Sequence, residues 1–302
     1  LVNIMVHIEP ESETKFMNIM GTTADDLFLI GIQELDSTSE VLSSRVEPMR
    51  EKLHVMFELT NPRNRVTFNR IINPAFAWVE VLWIMAGGNN VEYLAWWNKR
   101  MRDYANKDGH LHGAYGARLG NHHLWETSIW DSESGEEPPY LLPKDVRKVL
   151  YSKSGLACEH PQLMHAYSTL REKPVSRQVV LQIWQDWLDM PNGYHEQAPD
   201  IPCNLTSHLL LRQPQHIGNF GLNKLEWMQI MRSNDAIWGW PYNIIQWTFI
   251  QEIVAGWLGV EPGTFVLLSD SYHVYERHWP NLSKILNTPK NMRSLRCPHS
   301  YG

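Results

Sequence analysis

Two alternating apolar runs, Asn204 to Arg212 and Lys224 to Arg232, follow one another with only the polar, glycine-containing stretch Gln213 to Asn223 between them. Each reads as a strand, and the stretch between as a loop. Directly behind them, Trp240 to Gly256 is a long apolar run that opens on Pro241 and is closed by Gly256 to Gly259. Proline in the first turn and glycine at the end mark it as a helix. Segments of both kinds in one stretch point to an α+β fold around a mixed or antiparallel sheet.

The rest of the chain fits the same class. Asp26 to Leu35 has helical apolar spacing, and Leu53 to Leu59 and Arg65 to Ile72 read as short strands around the Asn61-Pro62 turn. In Pro74 to Ala86, Phe76, Val79, Leu82, Trp83 and Met85 repeat at helical spacing before Gly87-Gly88 stops them. Val91 to Ala105 is expected as a second helix, Gly109 to Gly120 as a loop, and Arg177 to Trp184 as a buried strand. Thr264 to Leu268 and His273 to Arg277 are two further strands. Residues 1–25 mix strand-like and polar character and are not placed. No repeat, heptad or Pro/Gly/Ser-rich linker divides the chain, so residues 1–302 are expected to form one domain.

A hydrophobic content of 43% supports a sizeable core, while the formal charge of −6 gives no long-range attraction to nucleic acid polymers or anionic membranes. A small anionic substrate remains compatible, because local arginines bind phosphate against an acidic background. Three cysteines and no long uncharged apolar run lead us to expect a soluble, cytoplasmic protein.

Cys203 follows Pro202 at the edge of the first strand of the pair, and only Cys158 and Cys297 accompany it, so a disulfide framework does not explain it. A cysteine so placed is often a small buried hydrophobe. It is equally a candidate nucleophile, because Arg232 lies on the strand expected to pair with it and a guanidinium favours the thiolate. Arg232-Ser233 reads either as a solvated strand end or as a phosphate fork, with Arg45 and Arg177 as further arginines. Asn243 reads as a helix cap or as a base reader. Its amide suits the O4 and N3–H of uracil and, flipped, the amino group and N3 of cytosine. Glu80 lies within an apolar helix, as a salt-bridged residue or as an acid/base whose carboxyl burial raises toward neutrality. His273 and Tyr275 alternate onto one strand face, suited to a sugar hydroxyl or to a polar core network. His110, His112, His122 and His123 lack a carboxylate or cysteine partner at recurring spacing, so no metal is expected.

Taken in this order, the motifs resemble the folate-dependent thymidylate synthase superfamily from about Ser44 onward. Glu80 with Leu82-Trp83 resembles the family's Glu-Leu-Leu-Trp helix, and Gly113-Ala114-Tyr115-Gly116 its Gly-Pro-x-Tyr-Gly loop. Pro202-Cys203 is similar to the nucleophile motif, Arg232-Ser233-Asn234-Asp235 to Arg-Ser-x-Asp, Gly239 to Asn243 to Gly-x-Pro-Phe-Asn, and His273-Val274-Tyr275 to His-x-Tyr. The resemblance implies a three-layer α+β fold whose large mixed sheet forms a homodimer interface. It implies 5,10-methylenetetrahydrofolate as co-substrate and a pyrimidine nucleoside monophosphate as substrate. Cys203, Glu80, Tyr115 and Arg232 would be catalytic. Arg45, Arg177, Arg232, Ser233, Asn243, His273 and Tyr275 would bind the nucleotide, with Arg177 acting across the interface. Asp235, Gly239 and Trp83 would face the folate.

The chain departs from the family pattern at several positions. Asn204 follows the nucleophile where thymidylate synthases usually carry His, and Gln178 replaces a second phosphate arginine. Met101-Arg102-Asp103 stands where Ile-Trp-Asp is usual, so the indole beside the transferred carbon is missing. A methylene left without that shield is open to water, which yields hydroxymethyl in place of methyl. Arg277 and the wording Met-Arg-Ser-Asn-Asp also look like the nucleotide hydroxymethylase branch. The expectation is therefore a 5-hydroxymethylase of CMP, dCMP or dUMP, with cytidylate ranked first: Asn243 favours uracil and Asn204 favours cytosine. The alternatives are a thymidylate synthase making dTMP, and a nucleotide-binding homologue without catalysis.

Overall fold

The computed structural model describes residues 16–44, 46–70, 72–120, 161–190, 199–212 and 223–288. Strand β1 (Met17–Gly21) leads into helix α1 (Ala24–Asp36), strand β2 (Met49–Leu59) and helix α2 (Pro74–Met85). Short helices α3 (Val91–Ala95) and α4 (Tyr115–Gly120) flank a 3-10 turn at Lys99–Tyr104. Helix α5 (Pro161–Glu172), strand β3 (Val180–Gln182) and helix α6 (Asp186–Asp189) precede strands β4 (Asn204–Arg212), β5 (Lys224–Met231) and β6 (Asn234–Asp235). Helix α7 (Trp240–Leu258), strand β7 (Glu261–Tyr275), a 3-10 turn at Glu276–His278 and helix α8 (Trp279–Leu286) complete the described chain.

The strands form one mixed sheet in the order β1-β2-β7-β5-β4-β3, with β6 also paired to β7. β1 runs parallel to β2, and β5 and β6 run parallel to β7; the other neighbours are antiparallel. Helices α1 and α7 pack on the sheet. Between them Phe57 meets Trp240 and Tyr272 edge-on at centroid distances of 5.1 and 5.0 Å, all fully buried. Edge-to-face contact sets the negative face of one ring against the positive rim of another.

Local signals explain the helix ends. Thr23 accepts a hydrogen bond from the Asp26 amide at the start of α1, and Asn73 accepts one from Phe76 at the start of α2. Gly259 ends α7 with φ of 69°, a left-handed conformation that costs glycine little.

Several expectations need correction. Arg65 to Ile72 forms no strand over its described residues. Its amides at Phe68 and Asn69 donate to the Asp25 carboxylate, and Arg65 reaches back to the Pro62 carbonyl and across to Glu252. Backbone groups satisfied by side chains have no need of a ladder. The helix expected over Val91 to Ala105 breaks at Asn98, whose side chain accepts from the Arg100 amide and starts the 3-10 turn. Gly109 to Gly120 is not all loop, since α4 begins at Tyr115. The Arg177 to Trp184 strand shrinks to β3. The two strands expected at 264–268 and 273–277 are one strand to Tyr275, with Arg277 in the turn beyond. Its polar middle misled the pattern: Ser269 is fully buried and accepts from Asn234, and Ser271 bonds Glu51.

Candidate active site

A cavity of about 690 Å³ opens between the ends of the central strands and the α2–α4 region. Glu80, Trp83, Tyr115, Cys203, Arg232, Ser233, Asp235, Gly239, Asn243, His273 and Tyr275 all line it. Arg177 is exposed and does not line this cavity, and Arg45 lies outside the described residues, as do His122 and His123. Among the described residues no three His, Cys, Asp or Glu side chains gather as metal ligands.

Cys203 sits immediately before β4, and its carbonyl accepts from the Arg232 amide at 2.9 Å. The neighbouring arginine holds the thiol pKa down, but burial outweighs it and pushes it up, helped by Asp200 and Asp235. The sequence argument that Arg232 favours the thiolate therefore has the right direction and too little strength. Part of the guanidinium is already engaged: Nε donates to the Pro202 carbonyl at 2.9 Å, Nη2 donates to Ile201 at 3.1 Å, and its plane lies over Trp184.

Glu80 comes in from α2. The residue keeps some exposure, yet its Oε2 is fully enclosed and has no hydrogen-bond partner. Burial raises its carboxyl to about 7, opposed by a hydrogen bond with Gln246 of α7. Tyr115 enters at the start of α4, with its phenol raised by burial and by the nearby Cys203 and Asp200.

The Tyr115 loop approaches the cysteine closely. A Cβ at Gly113 would lie 2.8 Å from Asp200 Oδ2 and 2.9 Å from the Pro202 nitrogen; one at Gly116 would lie 2.5 Å from the Ile84 carbonyl. Only glycine fits where backbone meets backbone this tightly. Asp200 Oδ2 accepts from the Gly113 amide at 3.0 Å and ties the loop to the segment before Cys203. Behind it, Arg118 makes two bonds to Asp189 at 2.7 and 2.8 Å, and His112 bonds the same carboxylate at 2.8 Å.

On the opposite wall Asn243 sits one turn inside α7, whose N-cap residue is Gly239, so the capping reading is set aside. Its Nδ2 donates to Asn234 Oδ1 at 3.1 Å, and Asn234 Nδ2 donates to Ser269 Oγ at 3.0 Å. Asp235 Oδ1 accepts from the amides of Ile237 and Trp238, which fixes the carboxylate. Trp238, at the cavity's edge, carries Arg70 at 4.6 Å and donates its indole hydrogen to His278. The His273 and Tyr275 rings meet edge-on at 4.9 Å on one face of β7.

Asp200, Asn234 and Gln246 were missed in the sequence. Each is a common polar residue whose part is set by a contact across the fold. Met101 lines the cavity, and so does Arg277, which is held by Glu47 at 3.1 Å and lies over Tyr275.

The family model described as thymidylate synthase matches residues 47–299. The chain is similar to deoxyuridylate hydroxymethyltransferase of Bacillus phage SP01, 31% identical over 258 residues that make up 84% of this chain and 58% of that protein. It is similar to the protein of the same name from Pseudomonas phage M6, 28% identical over 80% of this chain and 56% of the relative. A third of that name, from Delftia phage PhiW-14, is 26% identical over 78% of this chain and 59% of the relative. The chain thus spans a little over half the length of these relatives.

Proposed function

The chain belongs to the thymidylate synthase family, and on that premise we propose that it transfers a one-carbon unit from 5,10-methylenetetrahydrofolate to C5 of a pyrimidine nucleoside 5′-monophosphate. The proposed product is the 5-hydroxymethyl nucleotide and the proposed substrate dUMP. One observation carries this reading: Cys203, Glu80 and Tyr115, from three distant stretches, converge on a cavity that also holds Arg232, Ser233, Asn243, His273 and Tyr275.

In this mechanism the Cys203 thiolate adds to C6 of the ring, which makes C5 nucleophilic. Glu80, poised between its two protonation states near neutral pH, exchanges a proton at ring position 4 through water. Asn243 reads the base edge, His273 and Tyr275 hold the ribose 3′-hydroxyl, and Arg232 and Ser233 hold the phosphate. Folate, once bound, supplies the one-carbon unit. The enclosed, unpartnered Oε2 of Glu80 and the roomy cavity are compatible with a second ring system there, with Asp235, Gly239 and Trp83 along its wall.

Water capture is supported by Arg102, which stands where the indole is usual, bonds Glu92 and does not line the cavity, and by the relatives' names. The same names, with Asn243, move the substrate from the cytidylate ranked first on sequence to deoxyuridylate. Reductive methylation of dUMP to dTMP is the second reading, favoured by the family match.

We further propose a homodimer through the outer face of the sheet. Leu210, Met228, Ile230, Val266 and Leu268 alternate onto that face and stay half-buried, an apolar surface suited to a second copy. The exposed Arg177 would reach the partner's phosphate site.

Incubation with methylenetetrahydrofolate and each of dUMP, dCMP, UMP and CMP, read by mass spectrometry, tests the assignment. Hydroxymethyl-dUMP without a rise in dihydrofolate absorbance is expected. Methylated product with equimolar dihydrofolate would favour the second reading. Failure to release tritium from C5 of all four nucleotides would remove the catalytic assignment altogether.

A further inference from the structure

Behind Tyr115 lies a line of enclosed polar side chains with no place in the chemistry above. Asn204, Ser207 and Gln229 are fully buried and Trp227 is 1% exposed. Ser207 Oγ donates to Gln229 Oε1 at 2.5 Å, and the Trp227 indole donates to the same oxygen at 3.3 Å. Gln229 Nε2 in turn donates to Asn204 Oδ1 at 2.8 Å. Buried polar groups are retained where they satisfy one another.

The backbone places them deliberately. Asn204 and Ser207 are three apart on β4, an odd separation that would put them on opposite faces of a regular strand. The register slips between Asn204 and Thr206, and the resulting bulge turns both side chains inward. Across the ladder Ser207 faces Gln229, and Asn204 faces Met231, two residues further along the same face.

The line has a single sense. An indole nitrogen only donates, so the oxygen of Gln229 must face Trp227 and its amino group must face Asn204. A flipped Gln229 would set donor against donor at Trp227. Asn204 then has to offer Oδ1 to Gln229, and its Nδ2 is turned away. That nitrogen is fully enclosed and makes no hydrogen bond, so it is a donor left over beside Tyr115, whose phenol the Asn204 side chain holds down against burial.

We infer that Trp227, Gln229 and Asn204 form a directional hydrogen-bond line that holds the Asn204 amino group as a donor to the Tyr115 oxygen. Tyr115 then keeps its own hydrogen for the cavity and gives it up at lower cost. The three are positioning residues acting through Tyr115, and their link to turnover rests on the proposed function.

The test replaces the amino donor by an acceptor, Gln229→Glu, and separately removes the indole donor, Trp227→Phe. Ser207→Ala removes a bond to the same oxygen without changing the sense of the line. With 3-fluorotyrosine at position 115, fluorine NMR follows the phenol through a pH titration in folded protein, whatever the activity. Gln229→Glu is expected to raise the ionisation by about one pH unit, tenfold in the equilibrium. Trp227→Phe should move it the same way by less, which keeps the test open if Gln229→Glu fails to fold, and Ser207→Ala should leave it in place. In steady state Gln229→Glu should lower kcat about tenfold with nucleotide KM unchanged. Unmoved ionisation in both Gln229→Glu and Trp227→Phe overturns the line. A shifted ionisation in a protein that never turns over nucleotide leaves the line standing and removes the proposed reaction.

Discussion

Burying a carboxylic acid without a cation moves its proton equilibrium, and Glu80 is held in that way in the cavity wall. Its value near 7 against the ordinary 4.5 comes from burial, and Gln246 offsets only part of it. Between those two values the folded chain binds a proton that the unfolded chain has released. Stability from this group is therefore lost as pH rises from 4.5 through 7, by up to about 3 kcal/mol. Glu80→Gln should consequently be more stable than the parent at pH 8 and no more stable at pH 4, while losing turnover. Urea midpoints at the two pH values, beside an activity assay, check this; equal midpoints at both would remove the assigned proton state. That Glu80 is buried was legible in the apolar helix around it. That it meets the Gln246 amide and no cation was not, because Gln246 comes from α7.

At the level of elements, the Tyr115 loop is the clearest case of function resting on a support outside the site. Asp189 has no side-chain exposure, and it is bonded by Arg118 and His112. These partners carry its carboxyl down to about 2 although burial opposes them. A depressed acid adds stability that is complete above pH 4 and lost as pH falls through 2. Asp189→Asn strands the Arg118 charge in the interior and should destabilise by about 3–5 kcal/mol at neutral pH. Thermal unfolding measures the loss. The variant's C5 tritium release at a temperature where it is folded reports whether Tyr115 has moved. Elements with a strong local period were legible in advance: β4 to the residue, and α2 and α7 to within two residues. The failures share one cause. Arg65 to Ile72 gives its hydrogen bonds to Asp25, and the Val91 helix yields to the Asn98 cap. Ser269 to Tyr272 reads as a break yet continues β7, because its polar groups are bonded inside. In each case a side-chain partner outweighed the pattern.

For the molecule as a whole, the sheet presents one face to α1 and α7 and leaves the other half-buried, with Leu210, Met228, Ile230, Val266 and Leu268 among polar neighbours. If that face joins two chains, charging its centre with Val266→Glu and Leu268→Glu should give monomers by sedimentation, inactive because each lacks Arg177 from its partner. An equimolar mixture of Arg177→Ala and Cys203→Ser chains, each inactive alone, should recover about a quarter of parental activity, since half the dimers carry one complete site. No recovery after subunit exchange would place Arg177 outside the partner's site. The amino-acid order was enough to set the fold class, the run of motifs from Glu80 to Tyr275 and the residues that meet in the cavity. Apolar period, turn residues and short motifs are properties of neighbouring positions, and neighbouring positions are what a chain displays. Folding decided the rest: that burial pushes the Cys203 thiol up despite Arg232, that Asn243 leans on Asn234 instead of capping its helix, and that a bulge aims Asn204 at Gln229. Proton affinity and amide orientation depend on burial and on partners far off in the chain, and those distances exist only once it has folded.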